Sequence, residues 1–438
     1  MTTFPRRGFL GLTTAVTAAV ALAGCAGTGS AGTDSSSAGG AGGTTTIDFW
    51  SNHPGKSKDT EKKLIEQFEK ANPGIKVKLT DAGKNYEEVA QKFNAALAGG
   101  NLPDAVVVSD VTWFTFALNK QLAPMDDLTK EAGLSTTDYV ESLYNDYTLM
   151  GKHYALPYSR STPLFYYNKD LWAKAGLPDR GPKTWDEFAT WAAKLQPVIG
   201  SDKVAIDLAD GSNYLDWYFQ SMAWGFGGGY SKEWTPTFTD PGTIKAGEYL
   251  KMLFAKKYAR ASADPATSFA SGMSAALVES TGSLKGITKD AKFSLGTAFL
   301  PAPDGTKACP TGGAGIGIPV GISAERKKAA VKFVEFMTNA QSTVTFTQAT
   351  GYMPVRTSAM DVPEEKAYLQ ANPNAKTAVE QLPHTRSQDN ARVGVPGGGK
   401  RIGTALDQIA QGGDVKSVFE GLQKETQSVI DAQVKSKL

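Results

Sequence analysis

Thr45-Thr46-Ile47-Asp48-Phe49-Trp50, Ile75-Lys76-Val77-Lys78-Leu79 and Ala105-Val106-Val107-Val108 are three short apolar-rich runs separated by two longer amphipathic stretches. In the first, Ile47 and Phe49 alternate with polar residues, which is the period of a strand. Between Asp59 and Asn72, residues Leu64, Ile65, Phe68 and Ala71 fall on one helical face, and Asn72-Pro73-Gly74 stops the helix. Ile75 to Leu79 alternates again. Asn85 with Glu88 three residues on is a capping-box pattern, opening a helix whose apolar face is Tyr86, Val89, Ala90, Phe93 and Leu97. Ala105 to Val108 is apolar without interruption, as in a strand buried on both faces. Strand, helix, strand, helix, strand predicts an open α/β sheet.

The same grammar restarts further along. Leu164 to Tyr167 reads as a strand, and Thr184-Trp185-Asp186-Glu187 caps a helix that turns Phe188, Trp191, Ala192 and Leu195 inward. Phe293 to Leu300 and Ile316 to Pro319 read as strands. Ala330, Phe333, Val334 and Met337 mark one helix, and Asp414 to about Val434 marks another. No repeat of solenoid or propeller period is present. A chain of 438 residues is too long for one core and predicts two α/β lobes.

On the N-terminal side, Pro5-Arg6-Arg7-Gly8-Phe9-Leu10 reads as a twin-arginine export start, followed by the uncharged stretch Gly11 to Ala23. Leu22-Ala23-Gly24-Cys25 matches a lipobox, so residues 1–24 are expected to be removed and Cys25 lipidated. A transmembrane helix is the alternative, but Gly11 to Ala23 falls short of the ~20 residues that a span needs. The Gly, Ser, Ala and Thr of residues 25–43 predict a flexible tether. The expected location is extracytoplasmic, anchored by lipid to the outer face of the cell membrane. That location denies the chain ready ATP or reduced nicotinamide, and no cofactor is expected. Without residues 1–24, which hold two arginines and no acid, the 46 basic residues fall to 44 and match the 44 acidic ones. This balance gives no reason to expect a nucleic-acid partner. With Cys25 used by the lipid, Cys309 has no intrachain partner.

Chemical motifs are few. His53, His153 and His384 lie far apart, make no zinc pattern and read as packing or surface residues. No Gly-x-Ser-x-Gly elbow occurs. The adjacent acids Asp126 and Asp127 diverge on a helix and do not flank a substrate. Gly312-Gly313-Ala314-Gly315-Ile316-Gly317 has its strand after the glycines, the wrong order for a dinucleotide fingerprint. It reads as a tight interlobe turn, an anion nest, or both. Ser280-Thr281-Gly282-Ser283 reads as a helix start, either a plain cap or a site for phosphate or sugar oxygens.

Ser159-Arg160-Ser161-Thr162-Pro163-Leu164-Phe165-Tyr166-Tyr167-Asn168-Lys169-Asp170, followed by Lys174-Ala175-Gly176-Leu177 and Pro182-Lys183-Thr184-Trp185, resembles the extracellular solute-binding proteins of carbohydrate ABC importers. Asn85-Tyr86-Glu87, Ser280 to Leu284, Gly312-Gly313-Ala314 and Thr350-Gly351-Tyr352-Met353-Pro354-Val355 resemble the glycerol-3-phosphate branch, in an actinobacterial style. The resemblance implies a two-lobe, periplasmic-binding-protein-like fold with a three-crossover hinge. The crossovers would lie near 158–162, 312–314 and 352–355. Lobe 1 would comprise 44–158 and 314–352, and lobe 2 would comprise 159–313 and 353–438.

By the same resemblance, Tyr86 is the tyrosine of the second-helix motif, and Asp110 is an acid suited to glycerol hydroxyls. Ser161, Ser280 and Gly313 are phosphate contacts. Tyr352 is the hinge tyrosine, and Arg392 is the arginine of a late loop that would carry the phosphate charge. The pattern departs at Asn213-Tyr214-Leu215-Asp216-Trp217, where Tyr214 or Trp217 would stand in for a family tryptophan. An aromatic there could hold a choline-like cation.

The implied function is non-enzymatic. A monomeric lipoprotein would capture glycerol 3-phosphate or a glycerophosphodiester such as glycerophosphocholine and deliver it to a membrane permease, with no metal. The alternatives are a neutral-oligosaccharide receptor on the same scaffold and a secreted glycerophosphodiester or glycan hydrolase.

Overall fold

The computed structural model describes residues 43–438. The expected signal segment, Cys25 and nearly all of the expected tether lie outside those residues. Among the described residues, two five-stranded sheets carry the architecture.

The first sheet contains β1 (Thr45–Ser51), β2 (Ile75–Asp81), β3 (Ala105–Ser109), β4 (Leu156–Ser161) and β10 (Gly312–Gly317). Its order is β2-β1-β3-β10-β4. The first three strands are parallel, and β10 runs antiparallel to both β3 and β4. Helix α1 (Lys58–Ala71) buries Leu64, Ile65 and Phe68, three of the four residues read as its inward face. The Phe68 and Phe49 rings each meet the Phe333 ring edge-on at 5.2 Å. Helix α2 (Tyr86–Gly99) begins at Asn85, whose side chain accepts from the Glu88 N–H at 2.9 Å. Glu88 reaches back to the Lys84 N–H, one residue before the cap. The Thr184–Glu187 box closes in the same way, Glu187 reaching the Lys183 N–H.

The second sheet contains β5 (Pro163–Asn168), β6 (Val204–Ala209), β7 (Ala259–Ser262), β8 (Ser274–Ser280) and β9 (Leu295–Ala298), in the order β7-β6-β8-β5-β9. Its strands β7, β6 and β8 are parallel, while β5 is antiparallel to β8 and to β9. The chain passes from the first sheet to the second at Thr162. Thr281 secures that link, donating its N–H to the Thr162 carbonyl at 2.9 Å. Gln381 adds hydrogen bonds to Thr162 Oγ1 and to the Pro163 carbonyl.

Two features differ from the sequence reading. Gly312 to Gly315, read as a turn, are strand residues. At Gly313, φ is 90°, and an added Cβ would lie 2.1 Å from the Ser159 carbonyl. The glycine is there because two strands press together, and not because the chain reverses. The C-terminal segment, expected to belong with the second lobe throughout, is shared. Phe419, in the helix Val415–Val429, packs in the core beneath the second sheet. A π-helical turn (Ile430–Val434) then carries Val434 into the cluster of Trp50, Phe93 and Val106 beside the first. Val355 likewise packs in the first sheet's core.

Candidate functional site

Strand ends, crossovers and two helix starts converge on a cavity of about 540 Å³. All nine candidate ligand residues line it: Tyr86, Asp110, Ser161, Tyr214, Trp217, Ser280, Gly313, Tyr352 and Arg392. Each comes from a position that the topology dictates. Asp110 follows β3, Ser161 ends β4, and Ser280 ends β8, so their side chains gather at strand C-termini, where open α/β sheets leave a crevice.

One group of these residues offers hydroxyls and backbone. The Tyr86 hydroxyl lies 3.3 Å from the Tyr352 hydroxyl and 3.4 Å from Ser159 Oγ. Burial raises the pKa of both tyrosines, so they remain neutral hydroxyls. The Tyr352 ring rests on Gly282, where an added Cβ would lie 2.9 Å from the ring. Ser280 Oγ accepts from the Gly282 N–H at 3.1 Å, the plain cap that the sequence allowed. The helix beyond it, Leu284–Asp290, is short.

The other group is ionic. Arg392 is 4% exposed, and its Nε lies 2.7 Å from Asp216 Oδ2. Its Nη1 lies 3.1 Å from Asp110 Oδ2 and also donates to Gln388 Oε1. Gln388 in turn donates from Nε2 to Asp110 Oδ2 at 2.6 Å. Burial opposes the charge of Arg392, yet Asp216 and Asp110 hold its pKa above the ordinary range. Burial pushes the Asp216 carboxyl up against the pull of Arg392. The sequence reading gave Arg392 to a phosphate, whereas here it already serves two carboxylates. The two groups meet where the Asp110 N–H donates to the Gly313 carbonyl at 2.9 Å.

Aromatic rings form one wall. Trp217, on the helix Leu215–Gly225, donates its Nε1–H to the Thr311 carbonyl at 3.0 Å and packs on Gly312. Tyr214, 39% exposed, meets the Trp217 ring edge-on at 6.5 Å. Both residues offered for the divergent segment therefore face the cavity. Sequence reasoning missed Asp216, Glu279 and the Gly397–Lys400 helix start, which also line the cavity, and Gln388, which bridges Arg392 and Asp110.

Residues outside the cavity behave as packing groups. His53 binds Glu61, His153 binds Asp126, and the His384 ring lies tilted against Phe299. Asp127 pairs with Lys152, so the adjacent acids do diverge. Cys309 is buried and unpaired, and burial raises its thiol pKa. Among the described residues, no group of three His, Cys, Asp or Glu is placed to hold a metal ion.

Residues 63–377 match the bacterial extracellular solute-binding protein family. The sn-glycerol-3-phosphate-binding periplasmic protein UgpB of Escherichia coli is 30% identical over 361 residues, 77% of this chain and 80% of that one. UgpB from Mycobacterium tuberculosis, solved in complex with glycerophosphocholine, is 51% identical with a TM-score of 0.86. That match covers 90% of this chain and 100% of that one. The GacH receptor of Streptomyces glaucescens, at 23% identity, shares the fold with a TM-score of 0.76 over 89% of this chain and 99% of its own. These relatives are binding proteins and not enzymes, and on fold, cleft and matched length together the chain belongs to the bacterial extracellular solute-binding proteins of ABC importers.

Proposed function

We propose that this chain is the lipid-anchored receptor of an ABC importer for glycerophosphodiesters, with glycerophosphocholine as the type ligand. The observation that carries the reading is the state of Arg392. Its charge is balanced by Asp110 and Asp216, so it has little to offer a doubly charged phosphate monoester. A singly charged phosphodiester asks for less, and the hydroxyls of Tyr86, Ser161, Ser280 and Tyr352 with the Gly313 backbone can serve it through neutral hydrogen bonds. The carboxylates then accept from the glycerol hydroxyls, and the Tyr214–Trp217 wall suits a quaternary ammonium. The glycerophosphocholine complex of the 51% identical Mycobacterium tuberculosis protein supports the same choice.

In this reading the two sheets, with their helices, are the lobes that close on the ligand. Val355 and Val434 travel with the first lobe. Closure is what the permease recognises, the ligand stabilising one of two lobe arrangements. Cys25 tethers the monomer to the membrane.

One experiment tests anchor and ligand together. Full-length Cys25→Ser should leave the membrane fraction, because stable attachment needs the acyl chains. The freed protein should gain ~2.7 kcal/mol of stability at 100-fold excess of glycerophosphocholine over Kd. Stabilisation by maltose in place of glycerophosphocholine would return the site to the oligosaccharide receptors.

A further inference from the structure

The Ser280–Ser283 turn, read from sequence as a candidate phosphate nest, already holds an anion of the protein's own. Glu279, the penultimate residue of β8, is 7% exposed and borders the ligand cavity. Its Oε1 accepts from the Ser280 N–H at 2.8 Å, the Tyr218 hydroxyl at 2.7 Å and Ser283 Oγ at 3.3 Å. These are the donors that an incoming anion at this turn would use. Among the described residues, no lysine, arginine or histidine forms a salt bridge with Glu279. The titratable groups that face it are Tyr218 from the helix Leu215–Gly225, Tyr166 from β5, Tyr214 and Tyr352 across the cavity, and Asp264. None of these is a cation; the cations that line the cavity are Arg392, already paired with Asp110 and Asp216, and the exposed Lys400, and neither forms a salt bridge with Glu279.

We propose that Glu279 sets the charge of phosphate that the cleft accepts, admitting a singly charged diester and opposing a doubly charged monoester. The proposal rests on the glycerophosphodiester reading and adds the residue that enforces it. A phosphate monoester at neutral pH carries between one and a half and two negative charges, against one for a diester. In a cavity of low effective dielectric, that extra charge beside an uncompensated carboxylate is expensive. A monoester can bind only if a proton comes with it. Glu279 is the group prepared to take that proton, since burial raises its pKa against the hydrogen bonds from Tyr218, Ser280 and Ser283.

The test is calorimetry on full-length Cys25→Ser protein, with and without Glu279→Gln, using glycerol 3-phosphate and glycerophosphocholine at neutral pH. The ratio of the two affinities should move toward glycerol 3-phosphate by ~tenfold in Glu279→Gln. Runs in two buffers of different ionisation enthalpy should reveal proton uptake with glycerol 3-phosphate, but not with glycerophosphocholine, in the protein that retains Glu279. That second measurement holds even if the Gln variant fails to fold. An unchanged ratio in a folded Glu279→Gln, or monoester binding with no proton uptake, overturns the proposal while leaving the glycerophosphodiester reading intact. Failure of the Glu279 protein to bind either phosphate removes both.

Discussion

Tyr86, Ser161, Gly313, Ser280 and Tyr352 bring hydroxyls and backbone to the cavity but no cation, whereas Asp110, Asp216 and Arg392 are all charged and already joined to one another. The first group is held by sterics. Gly313 is fixed by the Ser159 carbonyl, and Tyr352 lies on Gly282. The second is held by electrostatics, with a buried and a half-buried carboxylate that need Arg392 and a buried arginine that needs them. A ligand meets pre-set geometry at one end and self-satisfied charge at the other. An arginine in a binding cleft is not by itself a phosphate site. What matters is how many carboxylates it already serves.

The contrast breaks most visibly at Arg392. Arg392→Ala should cost about 4 kcal/mol of folding stability, because it strands the buried Asp216 and the half-buried Asp110. Adding Asp216→Asn should recover about 1 kcal/mol or more through their coupling. Urea unfolding of both variants checks this, and a stable Arg392→Ala would mean that the ionic group is not ionically held. Gly313→Ala comes next, at about 3 kcal/mol, combining a left-handed backbone with a Cβ forced against a carbonyl. Its affinity for glycerophosphocholine should fall with its stability. Wild-type binding in Gly313→Ala would show that the neutral end tolerates a shift of β10. The smallest effect sharpens the picture. Tyr352→Phe keeps the ring on Gly282 and removes only the hydroxyl, so it should cost about 1 kcal/mol, roughly fivefold in Kd by calorimetry. Its Tm without ligand should barely move.

Much of this was legible in the sequence. The inward faces of the helix Lys58–Ala71 and of the helix Trp185–Ile199, with both capping boxes, follow from side-chain spacing alone. The family and the α/β class came from the Ser159–Asp170 segment and the strand–helix order. The glycine run misled because a close approach between strands and a tight turn select the same residue. Asp216 was missed because its partner is 176 positions away, and no local pattern announces an ion pair at that distance. Glu279 did leave a signal. It follows the apolar run Ala275-Ala276-Leu277-Val278 much as Asp110 follows Ala105 to Ser109. An acid at the end of a buried strand points into the crevice in both cases.

The order of strands along the chain differs from their order in the first sheet. β3 and β4 do not touch as neighbours; β10 lies between them, joining Ser109 to Ala314 on one side and Gly312 to Ser161 on the other. A ribosome finishes β1 to β4 long before it reaches Gly312, so until then β3 lacks its second neighbour and β4, whose partner in the sheet is β10, has none. Such long-range pairing is slow and exposes edges to other chains. An interruption of synthesis before residue 312 would leave that edge of β3 and the whole of β4 unpaired, a template for pairing with other chains.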